Sequence, residues 1–192
     1  MERRAPLLWI LGIAAAAQAA NQAPAVQSEL DAVCRTVLCR MSRPVRLKTG
    51  EGKFFELPLA PASPIVTGGM ITVLAGETAL VEGTLKEGRL VDLVAVAKVA
   101  HPERTLVLSL YQEPSVGDGL GMILKITSPF PKVLKYRLGI MSPSDDRMRK
   151  TSTCPLAQGK PVYEHWPYPL FQVAATDFKQ LEPTAPGADK CE

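Results

Sequence analysis

The feature that most restricts the fold of this chain is an alternation of apolar and polar residues that begins at Val45 and recurs as far as Phe178. In residues 134–140, LKYRLGI, every second side chain is apolar, and Lys135 and Arg137 fall on the other side. A period of two is that of a β-strand with one buried face, which is typical of antiparallel sheets. The sequence therefore predicts a mainly β protein.

Turn-forming residues divide the alternating region into short strands. Lys86-Glu87-Gly88, for example, separates two of them in the manner of a tight hairpin. Residues 142–153 are polar and charged, so we expect a long exposed loop there. Eight to ten strands are expected, and the candidates span Val45–Thr49, Lys53–Leu57, Met70–Leu74, Thr78–Leu85, Arg89–Val99, Arg104–Gln112, Gly121–Thr127, Val133–Met141, Pro161–His165 and Leu170–Phe178.

Short strands with a turn roughly every ten residues predict an antiparallel two-sheet β-sandwich, and an immunoglobulin-like arrangement is the most economical form at this length. We assign this domain to residues 44–182. A jelly roll or a barrel is the alternative. The chain lacks the Cys, Trp, Cys spacing of antibody domains, so no functional residue is carried over from that superfamily.

A short helix is expected before the sheet. Ser28 can cap it, and its apolar residues recur at helical spacing, at Leu30, Val33, Cys34, Val37 and Leu38. The helix ends before Arg43-Pro44, because the residue before a proline is disfavoured in helical geometry. Residues 20–43 are therefore assigned to a leader with a short helix, and residues 183–192 to a C-terminal tail.

The first residues predict export. Arg3 and Arg4 precede an apolar run over residues 7–17, and Ala17-Gln18-Ala19 has the small-x-small pattern of a cleavage site. We assign residues 1–19 to a signal peptide. An uncleaved anchor is the alternative, but the run falls short of the ~20 residues that cross a bilayer. The protein is thus expected in the periplasm or outside the cell, without a membrane-spanning segment.

In an oxidising compartment an even number of cysteines is presumed paired. The four cysteines allow three pairings. Residues five apart in a continuous helix have Cα atoms roughly 8 to 9 Å apart, too far for a disulfide. Cys34 therefore pairs with Cys39 only if the helix ends between Thr36 and Cys39. We favour that local pairing, together with Cys154–Cys191.

The stretch CRTVLCR, residues 34–40, is also a candidate reactive site. Its arginines could favour a thiolate, which would make Cys34 and Cys39 a thiol redox pair. However, four residues separate the cysteines, and the βαβ context of such redox proteins is missing. A zinc site would need paired ligands, and His101 and His165 are isolated. We expect a structural disulfide with solvated arginines beside it, and no cofactor or metal.

The stretch EHWPYP, residues 164–169, is the second candidate site. Glu164 and His165 beside two aromatic residues could form an acid–base or carbohydrate-stacking cluster. The alternative, which we favour, is an irregular segment in which Trp166 and Tyr168 close one end of the sandwich. Asp145-Asp146 could bind calcium loosely, but no spaced run of oxygen ligands surrounds it.

The charge balance bears on partners. The chain has 22 Lys and Arg against 19 Asp and Glu, without a strong basic cluster in the sequence, which argues against nucleic acid. We expect an exported accessory module of a bacterial-type envelope, without catalytic activity, that binds an envelope protein or a glycan or has a structural role. The alternatives are a small envelope hydrolase or carbohydrate-active protein that uses Glu164 and His165, and a thiol redox partner that uses Cys34 and Cys39.

Overall fold

The computed structural model describes residues 29–41, 43–58, 62–115, 118–181 and 190–191, and it leaves the side chains of residues 62 and 146 undescribed. The predicted signal peptide, residues 1–19, and its cleavage site lie outside the described residues. So do the rest of the leader up to residue 28 and most of the predicted tail.

The described residues are mainly β, as the alternation predicts. Residues 29–33 form one short helix, α1, and Pro102–Arg104 form a turn of 3-10 helix. The strands are β1 (Cys39–Met41), β2 (Val45–Gly50), β3 (Lys53–Leu57), β4 (Ala62–Pro64), β5 (Val66–Thr67), β6 (Met70–Leu74), β7 (Glu77–Lys86), β8 (Arg89–Ala95), β9 (Thr105–Gln112), β10 (Met122–Thr127), β11 (Leu134–Ser142), β12 (Asp145–Thr151), β13 (Val162–Trp166) and β14 (Gln172–Gln180).

All strand pairings are antiparallel. The largest sheet has ten strands, in the order β12-β11-β14-β8-β7-β9-β10-β13, and β6 also pairs with β14 and carries β5. Two small sheets, β1-β4 and β2-β3, complete the described fold. The large sheet is not closed, so β12 and β13 are edge strands. Mainly β structure, antiparallel sheets and a short N-terminal helix are thus confirmed.

One hydrophobic core joins the two ends of the large sheet. Leu108 of β9 and Leu124 of β10 are fully buried, and so are Leu134 of β11 and Val173 of β14. These residues follow the period of two that the sequence shows, because alternate side chains of a strand point to one face. No helix in the described part of the chain is long and apolar enough to cross a membrane.

The expectation of a long exposed loop over residues 142–153 is wrong. A turn at residues 143–144 leads into β12, which pairs with β11 from Ser142↔Asp145 to Leu138↔Thr151. An edge strand is bonded on one side only, and charged residues on it discourage pairing with other chains. The sequence DDRMRKT therefore lacks the apolar alternation by which inner strands are recognised.

The first strand begins nearer the N-terminus than expected, at Cys39 rather than Val45. Helix α1 ends at residue 33, and a turn at residues 34–36 brings the Cα atoms of Cys34 and Cys39 to 5.5 Å, where a disulfide joins them. β1 begins at Cys39 and pairs with β4. Residues 39–41, assigned above to the leader and helix, thus form a strand, because the helix ends at residue 33 and leaves them free to pair with β4.

Arg40 is not the solvated residue that the sequence suggests. Its side chain is only 8% exposed, and its Nε donates to Glu77 Oε1 at 3.0 Å. The two other guanidinium nitrogens donate to Ser63 Oγ and to the Thr72 carbonyl oxygen. Glu77 Oε2 also accepts from the backbone N–H of Leu74 at 2.9 Å. One guanidinium therefore ties β1 to β4, β6 and β7.

We predict that Arg40→Ala lowers the free energy of unfolding by about 3–5 kcal/mol, because it leaves the Glu77 carboxylate buried without its partner. Arg35→Ala is the matched control, since Arg35 follows Cys34 as Arg40 follows Cys39 but is exposed. The control should change stability by less than about 0.5 kcal/mol. Urea denaturation of the three proteins measures the difference, and equal effects would contradict this role of Arg40.

The structure joins Cys34 to Cys39 and Cys154 to Cys191, the pairings that the sequence favours. We predict that peptide mapping of the non-reduced protein recovers these two linkages. Thiol titration under native conditions should find no more than a trace of free cysteine. A peptide that links Cys34 or Cys39 to Cys154, or a reactive thiol at either position, would contradict the prediction.

Candidate functional site

A groove of about 730 Å³ lies between the β2–β3 hairpin, the end of β11 and the segment before β14. The hairpin turns at Gly50–Gly52, where Gly52 has a φ of 64° that favours glycine. It is held to β9 by Gln112, whose side-chain amide accepts from the backbone N–H of Lys48 and donates to its carbonyl oxygen. The hairpin thus forms one fixed wall of the groove.

The opposite wall is held by backbone hydrogen bonds. The Phe171 N–H donates to the Met141 carbonyl at 3.0 Å, and the Phe171 carbonyl accepts from the Ala75 N–H at 3.0 Å. The Phe171 ring packs on Phe55 of the hairpin, with the centroids 5.7 Å apart. Because Phe171 is clamped in this way, the preceding residues, which include Tyr168, are placed along the groove.

Two half-exposed aromatic rings lie along the groove. Phe54 is 50% exposed and Tyr168 is 44% exposed, although large aromatic rings usually bury most of their surface. The guanidinium of Arg46 lies 4.0 Å from the centroid of the Phe54 ring and also pairs with Glu56. Arg46 therefore restricts the orientation of a ring that the core does not hold.

Polar side chains line the groove beside these rings and a few apolar residues. The hydroxyls of Ser142 and Ser144 are 2.9 Å apart, and the Asp145 carboxylate pairs with Arg149 and accepts from the Arg147 N–H. These side chains come from the β11–β12 turn and from β12. Aromatic faces beside a few fixed polar groups are the usual composition of a small-molecule or sugar site. The groove can therefore stack a ring and hydrogen-bond its substituents.

Glu164 and His165 do not converge on one site. They are neighbours on β13, so their side chains point to opposite faces. Glu164 is 8% exposed, and its Oε1 accepts from the Tyr136 hydroxyl at 3.0 Å and from the Cys154 N–H at 2.8 Å. His165 is exposed. Glu164 thus holds β11 and the Cys154 disulfide together from inside.

The phenol of Tyr136 donates this hydrogen bond at any ordinary pH. Burial, and then the negative charge of the neighbouring Glu164, raise the pKa of Tyr136 well above its usual range. The ring also stacks on Phe178 of β14, with the centroids 5.5 Å apart. The Tyr136–Glu164 pair is therefore a contact between strands.

The other candidates from the sequence are placed apart. Trp166 is 5% exposed and belongs to the core, whereas Tyr168, two residues later, lies in the groove. Asp145 lines the same groove. The described residues contain no free cysteine and no group of three or more His, Cys, Asp or Glu side chains that could hold a metal ion.

Sequence reasoning identified part of the groove. It marked Tyr168 as a possible sugar-stacking residue but assigned it to the closure of the sandwich. It did not single out Phe54 or Arg149. The adjacent pair Phe54-Phe55 was the available signal, because neighbouring strand residues point to opposite faces and only one of them can be buried in a half-buried strand.

No protein-family model, no curated protein and no solved structure matches the chain.

We predict that Glu164→Ala lowers the free energy of unfolding by about 1–3 kcal/mol, because the Tyr136 hydroxyl and the Cys154 N–H lose their buried acceptor. His165→Ala, the adjacent control, should change it by less than about 0.5 kcal/mol, since His165 is exposed. Denaturant unfolding of the wild type and both variants checks this. An unaffected Glu164→Ala protein would contradict the structural role of the carboxylate.

Proposed function

We propose that the protein is an exported binding module of a bacterial-type cell envelope that holds a glycan in the groove between the β2–β3 hairpin and β12, without catalysing a reaction on it. One observation carries the proposal. Phe54 and Tyr168, each about half exposed, lie along a groove of about 730 Å³ that is also lined by hydroxyl and charged side chains.

Export is supported by the sequence and by the sulfur chemistry. The predicted signal peptide, residues 1–19, directs the chain out of the cytoplasm. Both disulfides fit an oxidising compartment such as the periplasm or the exterior of the cell. The two disulfides add to the stability that the hydrophobic core provides.

We also propose that the fold is a β-sandwich of immunoglobulin-like type. The single core takes buried residues from the β7–β9–β10 end of the large sheet and from the β11–β14 end. Two sheet halves that share one core in this manner would face each other as two layers. The loops and hairpins at one end of such a sandwich are where binding sites of this class lie.

A glycan fits the groove better than an apolar ligand would. Sugar rings present apolar faces that stack on aromatic rings and hydroxyls that bond to polar side chains. The groove supplies both chemistries, with Phe54 and Tyr168 for stacking and with Ser142, Ser144 and the Asp145–Arg149 pair for hydrogen bonds.

The hydrolase alternative would need Glu164 and His165 to act on one substrate. A carboxylate turned into the core and an exposed imidazole on the opposite face of β13 do not favour that arrangement. Activity assays of Glu164→Gln and His165→Gln against envelope glycans would test it. Loss of a measurable hydrolysis in both variants would support the hydrolase over the binding module.

We predict that Phe54→Ala and Tyr168→Ala each weaken binding to purified peptidoglycan about tenfold, because each removes a stacking surface. Tyr163→Ala is the matched control, since Tyr163 is 48% exposed but lies on β13, outside the groove. Its affinity should equal that of the wild type. Cosedimentation with insoluble peptidoglycan gives the affinities. Cellulose, a polysaccharide without amino sugars, is the comparison ligand.

Two outcomes would contradict the proposal. One is the absence of peptidoglycan binding by the wild-type protein. The other is an equal loss of binding in Tyr163→Ala and Tyr168→Ala, which would show that exposed aromatic rings act without regard to the groove. Circular dichroism of each variant verifies that it is folded before its affinity is compared.

A further inference from the structure

Three cations lie opposite one another across three adjacent strands, and we name them the cation row. Lys135 of β11 faces Lys179 of β14, and Lys179 faces Arg89 of β8. Residues directly opposite in an antiparallel pair have Cβ atoms about 5 Å apart, and like charges in that position are destabilising. The fold thus brings together charges that would repel one another without an anion.

Within the described residues, one carboxylate contacts two cations of the row, Arg89 and Lys179. Asp177 lies 3.0 Å from Arg89, 3.0 Å from Lys179 and 3.3 Å from Arg137. A hydrogen bond from Lys179, and then the charges of Lys179, Arg137 and Arg89, lower the pKa of Asp177 below its usual range. Among the described residues, Arg89, Arg137 and Lys179 therefore share the single negative charge of Asp177 at neutral pH.

A β-bulge gives Asp177 this position. The β11–β14 register shifts between Lys135 and Arg137, and Asp177 takes a φ of 56° there. At the same bulge Phe178 turns inward, where it is 2% exposed and stacks on Tyr136. The irregularity thus keeps the aromatic residue in the core and the carboxylate among the cations.

The row borders a cleft of about 390 Å³ between β11, β12 and β14. Arg137 and Lys179 line it, and Lys150 of β12 adds a further cation. In the described part of the chain no carboxylate pairs with Lys150. Lys135, which also lines the cleft, donates to the Lys190 carbonyl oxygen at 3.0 Å. Asp177 also lines the cleft, so the charged lining is four cations and one carboxylate. Such an excess of positive charge on a concave surface attracts anions.

The cleft and the aromatic groove share no lining residue. Arg149, which lines the groove, faces Ile140, whereas Lys150, which lines the cleft, faces the next residue of β11, Gly139. Successive residues of a strand point to opposite faces, so the two surfaces would take different ligand groups. The cation row is therefore not part of the proposed glycan site.

We propose that the cleft between β11, β12 and β14 binds a phosphate group through Lys179, Arg137 and Lys150. A phosphate offers several oxygens and more than one negative charge, so it can be shared by several cations at once, and guanidinium groups bind it with paired hydrogen bonds. Asp177 supplies only one of the negative charges that the cluster can hold. The proposal is independent of the aromatic groove.

The test measures phosphate binding by the full chain at low ionic strength. Inorganic phosphate is titrated into the protein while backbone amide signals are followed by nuclear magnetic resonance. We expect shifts concentrated in β11, β12 and β14, the strands that line the cleft. Lys179→Gln and Arg137→Gln should each weaken the affinity about five- to tenfold. Lys98→Gln, which removes the same charge at an exposed site between β8 and β9, should leave it unchanged.

Asp177→Asn distinguishes a binding site from a merely structural cluster. Because the Asp177 carboxylate competes with phosphate for the same cations, its removal should strengthen phosphate binding at least twofold. If the substitution instead damaged the fold, phosphate binding would become weaker. Unchanged or weaker binding by Asp177→Asn would therefore count against the proposal.

A second probe separates two sources of the phosphate. Vesicles of phosphatidylglycerol in phosphatidylcholine are compared with vesicles of phosphatidylcholine alone. Binding to the anionic vesicles that is lost in Lys179→Gln would assign the site to a lipid headgroup. Binding of inorganic phosphate alone would assign it to a soluble phosphate. The absence of binding to both probes, or an equal loss in Lys98→Gln and Lys179→Gln, would overturn the proposal.

Discussion

The pairing of β14 with three other strands is the constraint on which the rest of the structure depends. β14 pairs with β11 from one end to the other. On its other side, the first residues of β14 pair with β6, and Lys179, near the end of β14, pairs with Arg89 of β8. A strand bonded on both sides cannot slip without breaking every ladder at once. The residue just before it, Phe171, is bonded to both neighbouring segments, which places Tyr168 in the groove.

Buried polar contacts then fix the parts that the ladders do not reach. Arg40 and Glu77 connect the disulfide-closed N-terminal segment to β6 and β7, and Tyr136 and Glu164 connect β11 to the edge strand β13. A buried charge costs much free energy unless it is paired and hydrogen-bonded, so each contact permits one arrangement of its neighbours. The hydrophobic core provides most of the stability, and these contacts restrict how the segments around it can sit.

The proposed binding surfaces use residues that the core leaves outside. β12 is bonded on one side only. Its residues Asp145, Arg147 and Arg149 line the aromatic groove, and its last residues, Lys150 and Thr151, line the cationic cleft. The charges of β12 protect an exposed edge from pairing with other chains. The same side chains can also bind a ligand, because residues outside the core can be polar without a cost of burial.

The strands with a buried inner face, such as β2, β9 and β11, can be read from the sequence alone, because their apolar period of two is local. The sequence also favoured both disulfides. Residues 44–46 indicate that the chain leaves helical geometry near Cys39, where Cys34 and Cys39 can pair locally, and that pairing leaves Cys154 for Cys191. Three features are visible only in the folded chain. Arg40 is buried, and residues 145–151 form a strand. Lys135, Lys179 and Arg89 lie opposite one another. These features depend on strand register between residues far apart in the chain, and no local pattern carries that information.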